Sequence, residues 1–267
     1  AAAVAAVPAF RAGAPWAFLS SGTWSLLGVE RDAPILSDAA MRANFTNEAG
    51  LDGTIRFLKN LTGLWVLHEC ERAWLAEGDG DGHHDASALI AEAAAAAAPA
   101  AVLDLNDARF AERSDMPSTL RAACHEIGIA APNTRAELVR LILESLAAGY
   151  ARALGELEKV VEARIEVLHV LGGGSMNRFL CQLTAEACGR RVVAGPAEAA
   201  ALGNLLVQAR TLGDLPPGLS IRDVARASSD LHEYYPARTR AGSDLHEYYP
   251  ARTRAGAEVR ITLSSSA

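Results

Sequence analysis

The chain has 267 residues, half of them hydrophobic and 21% charged, with a formal net charge of -7. That length buries a core, and the composition is that of an ordinary globular protein. The negative balance, with basic residues scattered and no Lys/Arg stripe, excludes phosphate-backbone binding and points to small molecules or other proteins as partners. No apolar run approaches the ~20 residues needed to span a bilayer, so no membrane role is expected.

The N-terminus, AAAVAAVPAF, has neither an initiator Met nor a basic n-region and is a poor secretory signal. It reads as starting mid-protein. The four cysteines, Cys70, Cys124, Cys181 and Cys188, form no C-x-x-C pair. Zinc and dithiol chemistry therefore have little support, and free thiols in a reducing cytoplasm are the expectation.

In chain order, residues 17–29 (AFLSSGTWSLLGV) place two apolar runs around Ser20-Ser21-Gly22-Thr23, which predicts a β-hairpin. Residues 37–43 suggest a short helix. Residues 61–75 carry apolar side chains at Leu61, Leu64, Trp65, Leu67 and Trp74, which predicts an amphipathic helix. Residues 78–85 (GDGDGHHD) read as a loop: the Asp/Gly alternation lacks the distal Glu of a calcium loop, and His83 with His84 makes a poor metal pair. No metal site is assigned. Residues 86–98 predict a helix stopped by Pro99.

Thr134 and Glu137 have capping-box spacing and open a long helix to about Lys159, with Leu138, Leu141, Ile142, Leu146, Tyr150 and Leu154 on one face. A buried strand at 165–171 then meets the turn Gly172-Gly173-Gly174-Ser175, with a helix over 177–188 that Ser175 or Asn177 would cap. A short strand at 190–194, a Gly195-Pro196 turn and a helix at 197–210 follow. The alternation predicts an α/β layered domain, a mixed sheet flanked by helices.

Two turns can carry chemistry. The triple glycine lets the backbone turn tightly and approach a ligand, and amide N–H groups at a helix start favour an anion. The small hydroxyl residues beside Gly22 can present donors to phosphate oxygens. Either alone is more often an ordinary structural turn; together, in an α/β frame, they suit one phosphorylated nucleotide.

Four stretches carry a resemblance: AFLSSGTWSLLGVE, NFTNEAG, FLKNLTGLWVLHE and VLHVLGGGSMNRFLCQLTAEACGRRVVAGPAEAAALGN. In this order they resemble the C-terminal lobe of rhamnulokinases, sugar kinases of the FGGY carbohydrate kinase family, over residues 1–236. The resemblance implies an actin-like, ribonuclease-H-like lobe using ATP and Mg²⁺, which passes a phosphoryl group to a sugar held through the N-terminal lobe. It implies ATP contacts from Gly22, Thr23, Gly172, Gly173, Gly174 and Asn177, and from His68, which stands where the family commonly has Gln. It also implies a sugar-side contact from Asn60, and an adenine-side stretch at 106–110.

The family's general-base Asp lies in a His-Asp-Thr sequence before an Ala-rich helix, and the chain's first residues resemble that helix. No Asp here matches the base, Glu48 is a remote substitute, and the chain alone is expected to be inactive. The alternative is a non-catalytic nucleotide-binding or interaction module derived from such a kinase. Residues 237–267 read as a tail: the fourteen residues 229–242 (SDLHEYYPARTRAG) recur letter for letter at 243–256, and the second copy is assigned no function.

Overall fold

The computed structural model describes residues 1–9, 14–76, 86–215 and 218–237. The loop at 78–85, with His83 and His84, and the second copy of the fourteen-residue repeat lie outside the described residues.

Strand β1 (Trp16–Ser21) folds back on β2 (Trp24–Arg31) as the expected hairpin, in the register Phe18↔Gly28 to Ser21↔Ser25. Beyond β2 come α2 (Asp38–Arg42), β3 (Thr46–Ala49) and β4 (Ile55–Thr62). On the other side of β1 run β5 (Val167–Leu171), β6 (Arg191–Ala194) and a short β7 (His232–Tyr234). The seven strands make one sheet in the order β3-β4-β2-β1-β5-β6-β7. β1 pairs parallel with β5, and β5 with β6; every other pairing is antiparallel. This is the mixed sheet that the sequence predicted.

The continuous apolar run of β1 follows from its central place. Ala17 and Leu19 face a core formed with helices α3 (Trp65–Ala76), α5 (Met116–Glu126), α6 (Arg135–Val161) and α7 (Arg178–Cys188). Phe18 faces the other side, with Val4, Val7, Leu171 and Ala199. That second face is covered by α1 (Ala2–Ala5) and α8 (Ala199–Leu212), with α9 (Ile221–Ser228) packed against α8. A strand buried on both faces cannot alternate, so it loses the period-two pattern of a half-exposed strand.

α6 is the spine. The Thr134 hydroxyl accepts from the Glu137 amide, the Glu137 carboxylate accepts from the Thr134 amide, and Leu138, Ile142, Tyr150 and Leu154 are buried along its length. Helix α4 (Ala86–Ala95) stops before Pro99, and the Arg140 guanidinium donates to the carbonyls of Ala94 and Ala96, satisfying acceptors the helix end leaves open.

One predicted element is wrong at its start. Leu61 and Thr62 end strand β4, paired with Ser25 and Trp24, and the helix begins at Trp65. The three-residue spacing of Leu61 and Leu64 imitates a helical face, but Gly63 separates the two elements. The helix expected at 197–210 runs over Ala199–Leu212, and that expected to reach residue 98 ends at Ala95. Strands β3, β4 and β7 and helices α5 and α9 were not foreseen.

Candidate functional site

The hairpin turn and the triple-glycine turn meet at one end of the sheet. Because β1 and β5 are parallel neighbours, with Ser20 opposite Leu171, both chains leave the sheet side by side at their carboxyl ends. That is where open α/β sheets place ligands. Gly172 has φ +82°, and a side chain there would put its first carbon 2.8 Å from the Ser21 carbonyl oxygen. At Gly174 the same atom would lie 2.1 Å from Ser21 Oγ. Glycine is therefore required at both positions for the two turns to touch.

Within each turn the roles differ. The Gly22 amide donates to the Trp24 carbonyl at 3.1 Å, and the Gly172 amide to the Pro196 carbonyl at 3.2 Å. Those donors are committed to the scaffold. Thr23 and Gly173 are the exposed members, and nothing lies within 4 Å of where a Gly173 side chain would begin. The Ser175 hydroxyl and amide both donate to the Gly172 carbonyl, closing the 3₁₀ turn Gly173–Met176. The Asn177 side-chain oxygen accepts from the Leu180 amide and so caps α7, as one of the two predicted caps.

α3 is joined to the hairpin. The Leu64 amide donates to the Gly22 carbonyl at 2.8 Å, and the Trp65 amide to the Thr23 carbonyl at 3.0 Å. A helix start leaves amide donors without intrahelical partners, and here the turn supplies the acceptors. Gly63 makes the approach possible, since a Cβ there would come 2.4 Å from the Gly22 oxygen. Nothing in the local sequence marks Gly63 for this role, because a lone glycine before a helix signals only a boundary. His68 is exposed on the first full turn of this helix.

Asn60 is exposed on β4 and lines a cavity of about 410 Å³ together with Trp24, Lys59, Asn106 and Arg152. The structure thus brings Asn60 beside Asn106, from the stretch 106–110, and Asn106 accepts from the Thr62 amide. A second cavity, about 520 Å³, opens beside the triple-glycine turn between Ser175, Met176, the Gly195-Pro196 turn and residues 228–230. Glu48 is ion-paired with Arg56 at 2.8 Å on the β3–β4 ribbon.

Below the turns Ser25, Tyr150 and Cys181 are buried. Ser25 Oγ and the Tyr150 hydroxyl are hydrogen-bonded at 2.8 Å, and burial, opposed by that bond, raises the Tyr150 phenol. Cys181 lies under the glycine turn, its thiol 3.8 Å from the Gly174 carbonyl oxygen, and burial pushes it up to about 12. A thiol so placed fills space and is not a nucleophile.

The profile of "FGGY family of carbohydrate kinases, C-terminal domain" matches residues 17–212. This chain belongs to the FGGY family of carbohydrate kinases. Among curated relatives, it is 43% identical to the rhamnulokinase of Bacteroides thetaiotaomicron over 234 residues, 88% of this chain and 46% of that one. It is 44% identical to the rhamnulokinase of Enterobacter sp. (strain 638) over 220 residues, 82% of this chain and 44% of that one. The chain spans about half the length of the curated relatives it matches.

Solved structures agree on the fold of this FGGY domain. Xylulose kinase from Rhodospirillum rubrum superposes with a TM-score of 0.59 at 17% identity, covering 88% of this chain and 45% of that one. Plasmodium falciparum glycerol kinase with ADP gives 0.57 at 16% identity, covering 83% and 43%. The mixed sheet between helical layers is the actin-like, ribonuclease-H-like fold expected from the sequence. No helix among the described residues is long and apolar enough to cross a membrane.

Proposed function

We propose that this FGGY domain is the ATP-holding half of a rhamnulokinase-type sugar kinase. In the whole protein the γ-phosphoryl group of ATP passes to the 1-hydroxyl of L-rhamnulose, giving L-rhamnulose 1-phosphate and ADP, in the cytoplasm. The observation carrying this reading is the contact of the two turns at the carboxyl ends of β1 and β5, with Gly172 and Gly174 against Ser21.

Thr23 and Gly173, exposed on adjoining turns, would meet the nucleotide. Gly22 and Gly172 would act by shaping the backbone, Asn177 by fixing the start of α7, and His68 from α3 beside the hairpin. Asn60, near the carboxyl end of β4, would face the sugar. Phosphoryl transfer needs positioning and charge stabilisation more than covalent chemistry from the protein. Among the described residues no cluster of three or more His, Cys, Asp or Glu could hold a metal ion. Nucleotide-bound Mg²⁺ usually sits on the phosphates and water with one or two carboxylates, and the same is proposed for the whole protein.

The 267 residues correspond to about half of each matched relative, and by themselves they are expected to bind ATP without phosphorylating sugar. Titration calorimetry with ATP, run beside a coupled ADP assay with L-rhamnulose, tests both parts. Saturable ATP heat without sugar-dependent ADP release is the expected result. Brisk turnover by this chain would overturn the half-site reading, and silence toward ATP would overturn the nucleotide reading.

A further inference from the structure

We infer that Tyr150, buried in α6, is a positioning residue for the phosphate end of the bound nucleotide, acting through Ser25 and Ser21 on the two turns. The inference rests on the proposed nucleotide reading and adds to it a residue that touches no ligand. Ser21 ends β1 and Ser25 lies near the start of β2; they are cross-strand partners, so both side chains stand on one face of the sheet. Leu19 and Leu27, two residues from each, place that face in the core with α6. There the Tyr150 hydroxyl meets Ser25 Oγ at 2.8 Å. Ser21, Ser25 and Tyr150 are 1%, 0% and 1% exposed, so bulk water cannot replace a hydroxyl partner that is lost.

Ser21 is also where the two turns touch. Gly172 packs on its carbonyl oxygen and Gly174 on its Oγ and Cβ. Its hydroxyl lies beside the phenol but completes no hydrogen bond among the described residues. Tyr150 thus engages Ser25 and leaves Ser21 Oγ against Gly174. Removing the phenol oxygen alone upsets that arrangement. The Ser25 hydroxyl is then buried without a partner, which is costly, and the hydroxyl across the strand, on Ser21, can satisfy it. Turning Ser21 toward Ser25 takes its Oγ from the place it holds against Gly174, and the contact between the turns loosens. Thr23 is two residues from either serine, at the tip of the hairpin. The displacement therefore reaches the phosphate chain first and spares the nucleoside.

The test measures ATP and adenosine affinity by calorimetry on the 267-residue chain, on Tyr150→Phe and Ser25→Ala, and on the double variant. Ile142→Val, a buried trim on the same helix, serves as a control for lost stability alone. Circular-dichroism melts fix a temperature at which every variant is folded. Expected is a loss of roughly 3- to 10-fold in ATP affinity in each single variant, with adenosine unchanged. The double variant leaves Ser21 neither hydroxyl to turn to, so its ATP affinity should recover toward that of the parent. Ile142→Val should melt earlier and bind ATP as the parent does. Losses that accumulate in the double variant, losses shared by Ile142→Val, or ATP binding indifferent to both single variants would overturn this inference and leave the nucleotide reading intact. If Tyr150→Phe does not fold, Ser25→Ala carries the same expectation, and unchanged ATP affinity there overturns the inference. A parent chain that does not bind ATP overturns both.

Discussion

Gly173 and Gly174 are neighbours with opposite expectations. A side chain at Gly173 would enter open space, whereas one at Gly174 would strike Ser21 Oγ at 2.1 Å and Ser21 Cβ at 2.6 Å. Gly173→Val should therefore leave the melting temperature nearly unchanged and abolish nucleotide heat in calorimetry. Gly174→Ala should cost about 1–3 kcal/mol of stability in urea unfolding, because a buried neighbour must move. If Gly173→Val binds ATP as the parent does, the nucleotide lies elsewhere. The sequence marked both turns as candidates but could not rank their members. Which amides are occupied depends on partners such as Pro196, distant in the chain and brought close only by the pairing of β5 with β6.

At the scale of elements, β5 carries an unusual residue. His169 is 2% exposed, its ring edge-on to Trp16, and its Nδ1 has no hydrogen-bond partner. Burial first, then the charges of Arg191 and Arg222, lower it to about 3. Folding thus keeps His169 neutral where the unfolded chain takes a proton. Stability should be level above about pH 7 and fall as the pH drops from about 6.5 toward 3. Between pH 7 and 5 the His169 share of the loss is about 2 kcal/mol, read as the difference in urea unfolding between the parent and His169→Leu. An equal pH slope in the two proteins would rule this out.

Elements with strong local signals were legible: the capping box at Thr134 and Glu137 announced α6, and the hairpin followed from its turn. β4 was not, because Leu61 and Leu64 span a boundary while keeping helical spacing, and only the pairing of Thr62 with Trp24 decides between strand and helix. β7 has just three residues and owes its state to the edge of β6.

For the molecule as a whole, ligand and fold are linked. A nucleotide that binds only the folded chain stabilises it by about 2.7 kcal/mol at a hundredfold excess over Kd. ATP should raise the melting temperature of the parent by several degrees and leave that of Gly173→Val where it was. A rise of the same size in both would mean that ATP acts at a place other than the glycine turn. The layered architecture was readable from the alternation of strands and helices after residue 134, while the position of the site depended on β1 and β5 being adjacent, a long-range fact with no local trace.

The amide bonds from Leu64 and Trp65 to the hairpin carbonyls make the turn and α3 one mechanical piece. Over the twelve residues of α3 the helix rise carries about 18 Å, and along that length Val66, Leu67, Cys70 and Trp74 are locked into the core with α5 and α6. The hairpin turn is thus anchored through α3 to the packed interior, and it cannot shift without disturbing side chains far below it.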